Sequence, residues 1–134
     1  MKRVAAVALL VIGVVLAAGC GSQRAAERPC TLVGCDSALF VELSDKPAGT
    51  STVELCSAGR CVRLGGGTDA IELVLGHRSH GGVVPLALTF LDDRNRMLAH
   101  VRRSAQLHRA QPNGPGCRPV CFQAALTWKH GRLK

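Results

Sequence analysis

The sequence predicts an all-β protein: a small immunoglobulin-like β-sandwich or barrel of about seven strands, stapled by disulfides, after an N-terminal signal helix. Three observations lead there. Apolar and polar residues alternate with a period of two in short runs between residues 37 and 128, with turn residues between the runs. Six cysteines follow Cys20, an even number suited to three bridges. One Trp, three Phe and no Tyr leave a core built from Val, Leu and Ala, which cross-links would reinforce.

The chain begins with an address. Lys2 and Arg3 make a short positive start, residues 4–16 are an almost unbroken apolar run, and small residues then lead into Cys20. Through Gly19 the apolar stretch is about 16 residues, short of the ~20 that span a bilayer as a helix. A charged start, a short apolar middle and small residues before a cut mark a secretory signal peptide rather than a permanent span. The segment Leu16-Ala17-Ala18-Gly19-Cys20 resembles the lipobox of bacterial lipoproteins. That resemblance implies that the Cys20 thiol carries a diacylglycerol and that Cys20 is the first residue of the mature protein. The large aliphatic residue usual three positions before the cysteine is Ala17 here, with Leu16 one further back. Two or three acyl chains anchor firmly, because each buried methylene contributes about 0.8 kcal/mol. The expected organisation is a signal peptide over residues 1–19, a flexible tether over 20–29 and a single β-sandwich domain over 30–134. The tether (GSQRAAERP) is small, polar and without periodicity.

After the tether, Cys30 to Cys35 reads as a compact cross-linked segment. Residues 37–44 (SALFVELS) predict a strand with Leu39, Val41 and Leu43 on one side. Residues 45–49 (DKPAG) predict a turn, since Pro presets one dihedral and Gly permits a positive φ. Residues 50–56 alternate, with Val53 and Leu55 facing one way. Ser57-Ala58-Gly59-Arg60 then turns the chain, and Val62-Arg63-Leu64 continues beyond Cys61. A hairpin turn of this length sets Cys56 opposite Cys61 with β-carbons roughly 4.5–5.5 Å apart, so these two are expected to bridge. That small ring gains only about 2 kcal/mol of chain entropy. A bridge from Cys30 or Cys35 to Cys117 or Cys121 would close about 80–90 residues and gain about 4.5 kcal/mol. The sequence does not choose between those pairings.

Residues 65–69 (GGGTD) are a connection, 70–75 a strand and 76–82 (GHRSHGG) a loop. Residues 83–91 (VVPLALTFL) set Leu86, Leu88 and Phe90 against Ala87 and Thr89, with Pro85 expected at the strand's start or on a sheet edge. After the turn at 92–96, Met97, Ala99 and Val101 face one way, and 104–109 predict another short strand. Residues 97–111 also suit a helix, since Arg, Ala, Gln and Leu favour one. Three Pro and two Gly exclude regular structure from residues 111–119. The last strand is 121–128, with Phe122, Ala124, Leu126 and Trp128 on one face.

The pieces CTLVGCDS at residues 30–37, VELCSAGRC at 53–61 and QPNGPGCRPVCFQA at 111–124 resemble a group of actinobacterial lipoproteins with small cysteine-bridged β-sandwiches. The resemblance implies a fold and a location, and no activity.

Charge is lopsided. From Arg94 onward there are nine basic residues and no Asp or Glu, while the chain as a whole carries +8. A shared basic face would meet anionic headgroups, an acidic wall polymer or an acidic protein. The plainer reading of the same charge is a solubilising surface. Metal spacing is poor: Cys117 and Cys121 suit a zinc pair but hold a Pro between them, and export favours disulfides. His77 and His80 lie in a Gly-flanked loop where they would bind a transition metal weakly, with no nearby carboxylate to complete a shell. Ser79 between them suggests a triad without the strand-turn-helix such nucleophiles use. No C-x-x-C redox motif and no phosphate loop is present. Nucleic acid is excluded by address, and few aromatics are available to stack on bases.

The sequence therefore predicts a non-enzymatic, extracytoplasmic binding or accessory module of the cell envelope. Cys20 would hold it to the membrane, Cys30, Cys35, Cys56, Cys61, Cys117 and Cys121 would bridge, and no cofactor or metal is expected. A surface enzyme or metal-binding protein using the His77–His80 loop is the alternative.

Overall fold

The computed structural model describes residues 30–134. The signal peptide, Cys20 and the tether expected from the sequence lie outside the described residues. The described chain is all-β, with eight strands: β1 (Ser37–Leu43), β2 (Thr52–Ser57), β3 (Arg60–Gly65), β4 (Ala70–Gly76), β5 (Gly82–Leu91), β6 (Met97–Ala110), β7 (Cys121–Lys129) and β8 (Arg132–Leu133). Their order is β3-β2-β5-β6-β7-β1-β4, with β8 added on β7. The two end strands, β3 and β4, approach each other without pairing, so the sheet curls into a nearly closed barrel. Of the two architectures that the alternation allows, the barrel is the one found.

Neighbours pair antiparallel except β1 and β7, which run parallel from Ala38↔Gln123 to Leu43↔Trp128. β6 joins the two halves of the barrel. Its residues 97–107 pair with β5, and His108–Ala110 pair with β7. The expected break between two short strands is thus a single 14-residue strand, and the helical alternative for 97–111 is not adopted. Arg103 explains the apparent break. It shares a face with Val101 and Ala105, opposite Leu86, yet is exposed, so an apolar stripe is interrupted without interrupting the strand.

The period-two positions form the core. Leu39, Val41 and Leu43 of β1, Val53 and Leu55 of β2, and Leu86, Leu88 and Phe90 of β5 are buried together. Fully burying one such side chain contributes about 1.5–3 kcal/mol, which is what holds a sheet of short strands closed. Phe122, Ala124 and Trp128 of β7 complete the core, with Leu126 partly buried against it. Pro85 lies inside β5 rather than at its start. The β2 pairing ends at Cys56↔Ala87, so Pro85 sits beyond it, where a missing N–H costs no ladder bond. The Ser57 hydroxyl donates to the Pro85 carbonyl at 2.6 Å instead.

Two turns are tighter than the sequence suggests. The strands of the first hairpin run on to Ser57 and Arg60, leaving a two-residue loop in which Ala58 and Gly59 both have positive φ. That is the type I′ geometry whose twist suits a hairpin. His130 and Gly131 repeat it between β7 and β8. The short β8 went unpredicted because His is not among the usual residues of such a turn.

The β5–β6 turn is organised by Asp92, which is buried. Its carboxylate accepts the backbone N–H groups of Arg96 at 2.8 Å and Arg94 at 2.9 Å, and the Arg96 Nε at 2.7 Å. The Arg96 N–H is the largest influence, and these donors together outweigh burial and hold the carboxyl below its ordinary pKa. A folded-state pKa below the unfolded one means stabilisation present in full above about pH 4 and lost as pH falls through the folded value. Asp92→Asn is therefore expected to lower the urea midpoint at pH 7 and to differ less from the parent at pH 3. An equal deficit at both pH values would contradict this account.

Candidate functional site

One end of the barrel is built differently from the other. β1 starts and β4 ends there, paired Ser37↔Gly76, and β6 ends against the start of β7, paired Ala110↔Cys121. The loop 77–81 and the segment 111–120 close over that end. Two bridges fix the cover: Cys30–Cys117, with Cα atoms 5.6 Å apart, and Cys35–Cys121, 5.9 Å apart. The third, Cys56–Cys61, joins directly opposed residues of the first hairpin, as the turn spacing predicts. The pairing that the sequence left open is thus 30 with 117 and 35 with 121.

Segment 111–120 has no regular structure; two turns bond the Gly114 N–H to the Gln111 carbonyl and the Cys117 N–H to the Gly114 carbonyl, and side chains add to them. Asn113 is the hub. Its Oδ1 accepts the Val33 N–H at 3.0 Å and the Thr31 hydroxyl, while its Nδ2 donates to the carbonyls of Val33 at 2.9 Å and Arg118 at 2.6 Å. Gln111 donates to the Cys117 carbonyl at 3.1 Å. The Ser37 hydroxyl, buried, accepts the Phe122 N–H at 3.0 Å. Loop 77–81 lies just as close. A side chain at Gly81 would meet the Leu107 carbonyl oxygen at 2.9 Å and the Phe122 ring at 3.2 Å.

Between these walls is a cavity of about 670 Å³. Asp36, His77, Arg78, Ser79, Arg109 and Arg118 bring the polar groups to it. Three arginines and one acidic residue thus line it. Arg78 is half-buried, and its Nε is shielded from solvent without a hydrogen-bond partner among the described residues. A fourth guanidinium, that of Arg60, lies 3.4 Å from the position a Gly76 side chain would take. Arg60 also borders a more open depression of about 640 Å³ beside the Cys56–Cys61 hairpin, shared with Arg102 and Arg103.

Four of the eight acidic residues in 30–134 are paired away from the cavity. Among the described residues the ion pairs are Lys46–Asp69, Arg96–Asp92 and His130–Asp45 at the opposite end, and Arg63–Glu54 on the wall. Arg78, Arg109 and Arg118 have no such partner among the described residues. The cystine-covered end therefore carries an excess of base, as does the opposite end, where Lys129, Arg132 and Lys134 cluster.

The sequence-derived candidates fall out unevenly. All six cysteines from Cys30 onward are bridged, and Cys20 lies outside the described residues. His77 borders the cavity, whereas the ring of exposed His80 turns to the Gly81 carbonyl at 2.7 Å. No group of three potential metal ligands forms among the described residues. Ser79 borders the cavity without a hydrogen bond to either histidine among the described residues. Arg78, Arg109 and Arg118 went unnoticed as a set, because they stand far apart in sequence and only the β4–β5 and β6–β7 connections bring them together. The excess of base after Arg94 was the one available signal. No family model, curated protein or solved structure matches the chain.

Proposed function

We propose that the chain is a lipid-anchored, extracytoplasmic binding or accessory module of the cell envelope, with the arginine-lined cavity as its ligand site. The observation that carries this is the consumption of all six cysteines of residues 30–134 in bridges. Such a set persists in an oxidising, exported compartment. The remaining cysteine is the one in Leu16-Ala17-Ala18-Gly19-Cys20, at the end of an export signal. Cys30, bridged to Cys117, fixes where the tether reaches the barrel, namely the cavity end. Ten extended residues span at most about 35 Å, so an anchor at Cys20 keeps that end close to the membrane.

Cys20→Ala tests the anchor. In a lipoprotein-processing host, the variant is expected to accumulate as a longer precursor without the acyl label that the parent takes up from a labelled fatty acid. A variant processed and labelled like the parent would defeat the proposal. Chemical cross-linking on intact cells, followed by mass spectrometry of what is captured, tests the accessory role. A reproducible envelope partner is the expected result, and mutation of the cavity arginines should reduce its capture.

A further inference from the structure

We propose that the cavity beneath the Cys30–Cys117 and Cys35–Cys121 bridges binds a phosphate group, held by Arg78, Arg109 and Arg118. This rests on the reading of the cavity as the module's ligand site, and names the chemistry that fits it. Arg78 comes from loop 77–81, Arg109 from β6 and Arg118 from the segment before β7, so three separate pieces of chain each bring one guanidinium to the same walls. Guanidinium groups present rigid forks of N–H donors that match phosphate oxygens two at a time, and their charge persists at any working pH. Three arginines lining one cavity, opposed only by Asp36, give it a positive field that draws an anion.

Two further features favour a built site over a solvated patch. The Arg78 Nε is shielded from solvent without a partner among the described residues, so the base of this guanidinium is packed into the wall rather than solvated. The walls are also set in advance: two cystines and the Asn113 hydrogen bonds fix segment 111–120, and the close approach at Gly81 fixes the loop carrying Arg78. Donors ordered before binding cost little to order on binding. Ser79 adds a hydroxyl to the lining. The volume of about 670 Å³ exceeds what a bare phosphate fills, leaving room for a substituent. A phosphate ester therefore fits better than the free ion. The ester could come from a membrane phospholipid headgroup or from a small dissolved metabolite, and one titration separates these sources.

The test uses the processed protein purified in non-ionic detergent, titrated at constant ionic strength with inorganic phosphate and with glycerophosphoglycerol, the soluble headgroup of phosphatidylglycerol. Acetate serves as a singly charged control. Saturable binding of phosphate or its ester, and not of acetate, is expected. Arg109→Gln, on an exposed strand end, should weaken it about tenfold or more, as loss of a charge-assisted pair does. Arg78→Lys, which keeps the charge but not the fork, should weaken it less than Arg78→Gln. Arg63→Gln, which disturbs only the Glu54 pair on the wall, should leave it unchanged. Tighter binding of the headgroup than of phosphate identifies the membrane as the source, and the reverse order identifies a dissolved anion. No saturable binding, or an equal effect of Arg63→Gln and Arg109→Gln, would overturn the assignment. If the same preparation still fractionates with membranes and captures its partner, only the phosphate chemistry has failed. If membrane association is lost too, the anchored module has failed with it.

Discussion

Removing both long-range cystines is expected to unfold this protein, while removing either one is expected to leave it folded. Cys30–Cys117 and Cys35–Cys121 span 87 and 86 residues, so each alone would gain about 4.5 kcal/mol from the unfolded chain's lost entropy. They are not independent. Once one is closed, the other closes only the small ring formed by residues 30–35 and 117–121, about eleven residues, and gains about 3 kcal/mol. Either single removal should therefore cost about 3 kcal/mol, and removal of both about 7 kcal/mol. A domain of this size is stable by about 5–15 kcal/mol in total, so the larger loss consumes most or all of it. The Cys56–Cys61 ring is smaller still and should cost about 2 kcal/mol. The measurement is urea unfolding of paired Cys→Ser variants under non-reducing conditions. Single costs of about 4.5 kcal/mol that add when combined would show that the two bridges act separately, against the nested-ring argument.

The same bridges mark the boundary of what the sequence could disclose. Strand positions were legible because Leu39, Val41 and Leu43, or Leu86, Leu88 and Phe90, alternate with polar neighbours, and the pleat turns alternation directly into burial. Cys56–Cys61 was legible for a related reason, being fixed by a local turn. The pairings of Cys30 and Cys35 were not, since they depend on β1 lying parallel to β7, a contact between the two ends of the described chain. Arg103 disguised one long strand as two, because a lone charge on an inward face is indistinguishable in sequence from a turn. The cavity was least legible of all. Its arginines have no spacing motif, and they become a set only when loop 77–81 and segment 111–120 meet across the barrel end.

The second large effect is expected at Phe90, the bulkiest of the fully buried side chains. Phe90 lies on β5 and Trp128 on β7, in the two halves that β6 joins, and their rings meet at 4.8 Å between centroids with a tilt of 45°. In a chain with so few aromatics, this ring pair bridges the two halves through the barrel's interior. Phe90→Ala should cost about 3–5 kcal/mol, combining lost burial with a cavity that Val and Leu neighbours are too short to refill. Loss of the tilted ring pair accounts for about 0.5–1.5 kcal/mol beyond the area term. Trp128→Phe should cost less, since it keeps a ring and removes an indole N–H that is buried without a partner among the described residues. The chain has a single Trp and no Tyr, so its fluorescence and near-ultraviolet circular dichroism report on this contact directly. Phe90→Ala is expected to redden the emission and flatten the dichroism as it lowers the urea midpoint. A loss under about 1 kcal/mol with unchanged Trp spectra would mean that the strand ladders alone hold the two halves together.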